Sequence, residues 1–188
     1  MADCTVRLAK HTDAHALALM HIASWRETYT GILPQKMLAA LSVEARTAAW
    51  AEILQEPPTE RSTVVYLAES DATIIGFGSC SAQRTENLVT QGFAGEFGAI
   101  YVLRAFQGKG IGRRLLRKMS SDLQGRGMGS AALWVLRDNA SARRFYERQG
   151  GQVIVEREDA REGIVLAEMA YGWPRLIDLC EGFSEPSD

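Results

Sequence analysis

Cysteine is scarce and scattered in this chain: Cys4, Cys80 and Cys180 are the three present among 188 residues. An odd count without C-x-x-C spacing excludes a disulfide framework and a thiolate zinc site. It fits a reducing compartment, so a cytoplasmic location is expected. An excess of either charge is missing too. The 21 Lys and Arg against 23 Asp and Glu leave a net charge of −2, with no basic block. That argues against a general nucleic-acid surface. Long hydrophobic runs are absent. Near the start the longest is Ala16–Met20, far too short to span a bilayer, and no charged n-region precedes it; no membrane association is expected. The histidines, His11, His15 and His21, gather near the first predicted helix, but no Asp or Glu pattern completes a metal site there, so no metal is expected. Internal repeats, linkers and low-complexity segments are also missing.

What is present is ordinary for a globular protein: 46% hydrophobic and 23% charged residues. The length predicts one domain with a real core, expected over residues 1–173, followed by a partly flexible tail over 174–188. After the last strand Trp173, Leu176, Ile177 and Leu179 stand out as apolar; they dock either on their own sheet or on a second subunit, which leaves a homodimer open. The last residues, 184–188, are expected to fray.

Along the chain, Thr5–Ala9 predicts a strand, and Thr12 or Asp13 caps a helix continuing to about Tyr29. Helices follow at Gln35–Leu41 and Val43–Gln55, then a hairpin of Ser62–Ser70 and Thr73–Gln83 turning near Asp71-Ala72. A loop over Arg84–Gly95 leads to an apolar, β-branched strand ending at Leu103. Next come a helix over Ile111–Gln124, a strand over Ser130–Leu136, a helix over Ala140–Gln149, and a final hairpin of Gln152–Arg157 and Gly163–Tyr171. This order predicts an α/β (α+β) fold, a mixed and mostly antiparallel sheet of about seven strands with helices on both faces.

Between the central strand and its helix lies Gln107-Gly108-Lys109-Gly110-Ile111-Gly112. A strand, a glycine-rich turn and a helix start make an anion site, because the first helical N–H groups lack internal partners and the helix dipole favours negative charge. Arg113 and Arg114 in the first turn oppose that dipole and make more sense beside a phosphate. The dinucleotide fingerprint would need glycine where Arg113 stands, and a P-loop would need Ser or Thr where Gly110 stands. The pattern that fits, [Gln/Arg]-x-x-Gly-x-Gly/Ala, resembles the acetyl-CoA pyrophosphate loop of the GNAT (GCN5-related N-acetyltransferase) superfamily. A second segment, Asn139-x-x-Ala142-x-x-Phe145-Tyr146-Glu147-x-x-Gly150, resembles the same family in the same order. Asn139 and Tyr146 lie about two helical turns apart and share a face.

The resemblance covers roughly Val6 to Tyr171 and implies an acetyl-CoA-dependent N-acetyltransferase that passes the acetyl group directly to a primary amine in a ternary complex. It implies cofactor contacts from the loop residues Gln107, Gly108, Lys109, Gly110, Ile111 and Gly112, from Arg113, from Asn139 toward the pantetheine arm, and from the backbone of Ile100, Tyr101 and Val102, where two splayed strands let the arm pair as an added strand would. The side chains of those three are expected to be core only. Tyr146 is either the general acid for the leaving thiolate or a core aromatic; a phenol near pKa 10 stays protonated at neutral pH. Glu96 is either a general base working through water or an edge-strand charge. Trp25 and Tyr29, four apart on one helix face, either staple the first two helices or wall the acceptor pocket. Arg143 and Arg144 form a solvated helix face, with Arg143 alternatively meeting the 3′-phosphate. Trp134 occupies the position where acetyltransferases of ribosomal-protein N-termini carry Glu, so a small-molecule acceptor is favoured over a protein lysine or N-terminus. A non-catalytic acyl-CoA-binding or regulatory module is the remaining alternative.

Overall fold

Two apolar runs, VVYLAES and TIIGFGSCSA, form β2 (Val64–Ser70) and β3 (Thr73–Ala82). They are buried almost throughout rather than on alternate residues, as strands covered on both faces are. Asp71 and Ala72 join them with positive φ at both positions, 49° and 59°, the twist that a two-residue hairpin turn requires. The computed structural model describes residues 4–55, 59, 62–161 and 164–181. The expected fraying of residues 184–188 lies outside them.

Around this hairpin the elements run β1 (Thr5–Leu8), α1 (Ala14–Tyr29), α2 (Gln35–Ala39), α3 (Val43–Gln55), β2, β3, α4 (Glu86–Thr90), β4 (Gly95–Val102), α5 (Ile111–Gly125), β5 (Ala131–Leu136), α6 (Ala140–Arg148), β6 (Gln152–Arg161), β7 (Ile164–Trp173) and α7 (Ile177–Glu181). The seven strands form one sheet in the order β1-β2-β3-β4-β5-β7-β6, antiparallel except for β4 beside β5. The expected mixed, mostly antiparallel sheet is what forms. On one face Leu17, Ala18 and Trp50 of α1 and α3 pack with Leu67 and Phe77. On the other, Leu115, Leu116, Met119 and Leu123 of α5, all fully buried, pack with Tyr66, Phe97 and Leu133. Each of those α5 side chains contributes roughly 1.5–3 kcal/mol by leaving water.

Several expectations change. Asp13 does not cap α1 with its side chain; its carboxylate accepts from the Lys10 N–H at 2.7 Å and pairs with Arg7 at 2.7 Å, because a guanidinium within reach outcompetes a neutral cap. The stretch expected to be a loop at Arg84–Gly95 holds the short helix α4, whose Leu88 is buried against Ala132 and Ala170. The final hairpin is longer than its alternation suggested. The apolar residues of the expected tail dock on their own domain: Trp173, Leu176 and Leu179 join the α5 core, and Ile177 alone of the four stays exposed. The features that suggested a second subunit are therefore mostly consumed internally.

One irregularity positions the site. In the β3–β4 register Ser79 faces Ala99 and Cys80 faces Phe97, so Gly98 is an extra residue, a β-bulge that increases local twist. Strand β4 pairs with β5 only at Gly95↔Ala131 and Glu96↔Ala132. Beyond that, β4 stays with β3 while β5 stays with β7 as far as Leu136↔Glu168. A gap opens between the two strands.

Candidate active site

The gap is the floor of a cleft of about 1020 Å³. Backbone alternation decides which groups face it. The Leu103 N–H donates to the Ile75 carbonyl at 2.9 Å, and Tyr101 faces Phe77 two residues earlier in the same register. Antiparallel strands alternate bonded and non-bonded pairs, so the Tyr101 backbone belongs to β3, and the Ile100 and Val102 backbones face the gap. The three expected backbone positions narrow to two. The Val102 carbonyl is already reached by the Gln107 side-chain amide at 2.9 Å, so Gln107 ties the loop to the strand end.

Past Gln107 the chain turns through Gly108 and Gly110, with φ of 73° and 77°. A side chain there would strain the backbone although nothing stands within 4 Å of it; the space in front of the turn is open. Gly110 is the N-cap of α5, and the first-turn residues Ile111, Gly112 and Arg113 border the cleft with their N–H groups at the positive end of the helix. Gly112 has a second reason to be glycine: a Cβ there would come within 3.2 Å of the Phe145 ring. The two motifs are thus packed on each other. Lys109 does not line the cleft; its Nζ sits over the Phe106 ring, 5.1 Å from the centroid.

Across the gap Asn139 caps α6, its side-chain oxygen accepting from the Ala142 N–H at 3.2 Å, and it is 7% exposed. This cap fixes the side chain at the cleft wall. Two turns later Tyr146 is buried among Phe145, Tyr171 and Trp173 and still lines the cleft. Burial is the first reason that its phenol is held well above the usual 10; the nearby Tyr29 hydroxyl adds to it. A proton donor that survives to high pH is the result. Arg143 points elsewhere, to the Arg137 carbonyl at 3.0 Å and the Tyr171 hydroxyl at 3.4 Å.

Elsewhere the cleft is walled by side chains. Trp25 and Tyr29 of α1 meet edge to face at 5.2 Å, and Tyr29 shares a 2.9 Å hydrogen bond with the Tyr101 hydroxyl. The Tyr101 phenol is also raised far above its ordinary value, by burial first and then by Tyr29. The Trp25 indole N–H is buried beside it without a well-formed hydrogen bond. Behind them His21 is enclosed by Trp25, Trp50, Phe77 and Tyr101; burial, and next the Arg46 charge, push its pKa down to about 3. Glu96 accepts from Arg84 twice, Nη2 at 2.7 Å and Nε at 3.0 Å, and from the Arg84 N–H at 3.2 Å. Opposite, Arg157 lies over the Trp134 ring at 3.9 Å and pairs with Glu168 at 2.6 Å. Among the described residues no group of three or more His, Cys, Asp or Glu is arranged to hold a metal ion, and no helix is long and apolar enough to cross a membrane.

Residues 22–151 match the family model described as the acetyltransferase (GNAT) family. The uncharacterized N-acetyltransferase YuaI of Bacillus subtilis is 32% identical over 176 residues, covering 93% of this chain and 95% of that protein. The chain belongs to the GNAT family. A probable N-acetyltransferase of Mycobacterium tuberculosis is 30% identical over 79% of each chain. Among solved structures, the PaiA N-acetyltransferase of Thermoplasma acidophilum in complex with coenzyme A superposes with a TM-score of 0.70 at 20% identity, over 88% of this chain and 98% of that one. YncA of Salmonella typhimurium, a putative acetyltransferase with acetyl-CoA, gives 0.67 at 19% identity over 99% of both. These two similarities concern the fold.

Within this GNAT domain Gln107, Gly108, Gly110, Ile111, Gly112, Arg113, Asn139, Tyr146, Glu96, Trp25 and Tyr29 all border one cleft. Sequence reasoning missed the side chain of Tyr101, treated as core, together with Arg84, Arg157 and Glu168. Tyr101 carried a usable signal, because a tyrosine in an apolar strand must find a partner for its hydroxyl. Nothing local marked the two arginines, whose partners lie 12 and 11 residues away.

Proposed function

We propose that this GNAT domain transfers the acetyl group of acetyl-CoA directly to the primary amine of a small molecule, both substrates being bound together. The observation that supports it most is the open gap between β4 and β5, with the Ile100 and Val102 backbones on its floor, the α5 N-terminus at one end and Tyr146 at the other. An extended amide-bearing arm fits the gap as an added strand, and a pyrophosphate fits the open turn at Gly108 and Gly110. Acetyl-CoA supplies the activated thioester. The chain supplies the rest: Ile111, Gly112 and Arg113 offer N–H groups to the anion, Asn139 holds the near wall, and Tyr146 keeps a proton at its hydroxyl for a leaving thiolate. Glu96, in the acceptor half, takes the amine's proton through water in this reading, with Arg84 beside it. Trp134, where a carboxylate would stand in the N-terminus-acetylating relatives, supports a small acceptor. The free cysteines Cys4, Cys80 and Cys180 support a reducing cytoplasm.

Thermal melting with acetyl-CoA tests the binding half. A ligand bound only by the native state stabilises it by about 2.7 kcal/mol at a hundredfold excess over Kd. Gly110→Asp adds a side chain at positive φ and a negative charge beside the pyrophosphate, and should abolish the shift. A folded Gly110→Asp protein with an unchanged shift would sink the placement. Thiol release against a panel of primary amines tests turnover and separates the enzyme from a module that merely binds the cofactor.

A further inference from the structure

The acceptor half of the cleft carries a charge pattern that narrows the substrate class. We propose that the acceptor is an amino-acid-like amine, bearing a carboxylate on the carbon next to its reactive nitrogen, and that Arg84 takes this carboxylate while Glu96 receives the amine. The inference rests on the acetyltransferase reading above and deepens it.

Charge counting motivates it. Glu96 has a side chain only 14% exposed, and its carboxylate is already neutralised by Arg84. A plain ammonium arriving at Glu96 would put two cations on one carboxylate and leave a net positive charge in a partly desolvated cleft. An acceptor that brings its own carboxylate restores neutrality: its nitrogen faces Glu96, its carboxylate faces Arg84, and the two ion pairs lie side by side. The bonds from Nε and Nη2 to Glu96 use one edge of the guanidinium, and the edge with Nη1 is left for a second oxyanion.

Arg84 is held where this requires. Gln83, 5% exposed, accepts the N–H groups of Arg84 and Thr85 at 3.1 and 3.0 Å, and its amide donates to the Gly95 carbonyl at 3.2 Å. A buried amide with these three bonds serves the turn that carries Arg84. Two further guanidinium groups of the wall are engaged: Arg157 stacks on Trp134 and pairs with Glu168, whose side chain is 8% exposed, and Arg104 donates from Nη2 to the Glu27 carbonyl at 2.6 Å. The Arg84 side chain is 69% exposed, so the guanidinium edge that Glu96 does not use is open to a ligand.

The test compares kcat/KM for the proteinogenic α-amino acids with that for the amines they give on decarboxylation, at equal concentrations of neutral amine. For the acetylated pairs the carboxylate-bearing member should be preferred at least about tenfold, the worth of one charge-assisted hydrogen bond, mostly through KM. Arg84→Ala should collapse that ratio toward one, and Arg84→Lys should keep part of it. A second readout needs no turnover by the variant. The deaminated acid of the best pair should inhibit native enzyme competitively against the amine, and its Kd, read by titration calorimetry, should weaken about tenfold with Arg84→Ala. Equal use of amines and amino acids, or a preference that survives Arg84→Ala, overturns the proposal while acetyl transfer itself stands. If no member of either series is acetylated although acetyl-CoA raises the melting temperature, the acceptor class is wrong and the cofactor site remains. Loss of that thermal shift as well removes the acetyltransferase reading beneath it.

Discussion

The two halves of the cleft are built from different materials. From Val102 to Gly112 the wall is mostly backbone: a carbonyl held by Gln107, two glycines at positive φ, and the first N–H groups of α5. From Trp25 to Glu168 it is side chain, with hydrogen-bonded phenols and two ion pairs. Backbone groups sit wherever the chain path puts them, so the first half, which we propose holds what any acyl-CoA shares, should be disturbed chiefly by adding a side chain. The second half is set by individual side chains, so single substitutions change it directly. Tyr146 lies where they meet. The contrast teaches which substitutions should alter binding of the common substrate and which should alter what is acetylated.

The largest expected effect falls at that junction. Tyr146→Phe keeps the ring among Phe145, Tyr171 and Trp173 and removes only the proton, so turnover should drop by roughly 10²–10⁴ with acetyl-CoA affinity nearly unchanged. Because burial and Tyr29 hold this phenol above 10, the native rate should show no loss from its ionisation as pH rises toward 10. Normal turnover in a stable Tyr146→Phe protein would make the ring packing only and the acid a solvent molecule.

A smaller effect is expected in the acceptor half. Glu96→Gln should lower turnover chiefly below the acceptor amine's pKa, where the amine is protonated and needs a base, and the defect should shrink as pH rises. A pH-independent loss would mean that Glu96 positions the acceptor, or Arg84, without moving a proton. The pH profile of kcat/KM for both proteins decides between these.

The smallest concerns stability behind the acceptor wall. His21 is neutral in the folded state, its Nδ1 accepting from the Trp50 indole at 3.2 Å. Its pKa is near 3 when folded and about 6.5 when unfolded, so below about pH 6.5 protons favour the unfolded chain. Its contribution is complete above that pH and declines as pH falls toward 3, at up to ~1.4 kcal/mol per unit. His21→Gln keeps an acceptor for Trp50 and should flatten the acid side of the stability curve measured by urea unfolding. An unchanged slope would place the acid sensitivity in the carboxylates, such as Asp13, whose pairing with Arg7 lowers its pKa.

The turn and helices of the proposed cofactor half were legible in the sequence because their parts are near neighbours along the chain. Glycine spacing from Gly108 to Gly112 and the seven-residue step from Asn139 to Tyr146 are set by turn geometry and helical rise, which local sequence determines. The sheet and its helices followed from apolar runs and turn residues, with errors where a tertiary contact intervened: Asp13 taken by Arg7, α4 recruited by Leu88, and α7 drawn onto α5 by Leu176. The acceptor half required the folded chain. Tyr29 meets Tyr101 across 72 residues, and Arg84 meets Glu96 only because both lie beside the Gly98 bulge, where β4 turns away from β5. Local propensity acts over a few residues and decides which segments become strands, turns and helices. Which side chains then face one another across a gap depends on register, twist and the packing of distant elements, and only the tertiary structure settles that.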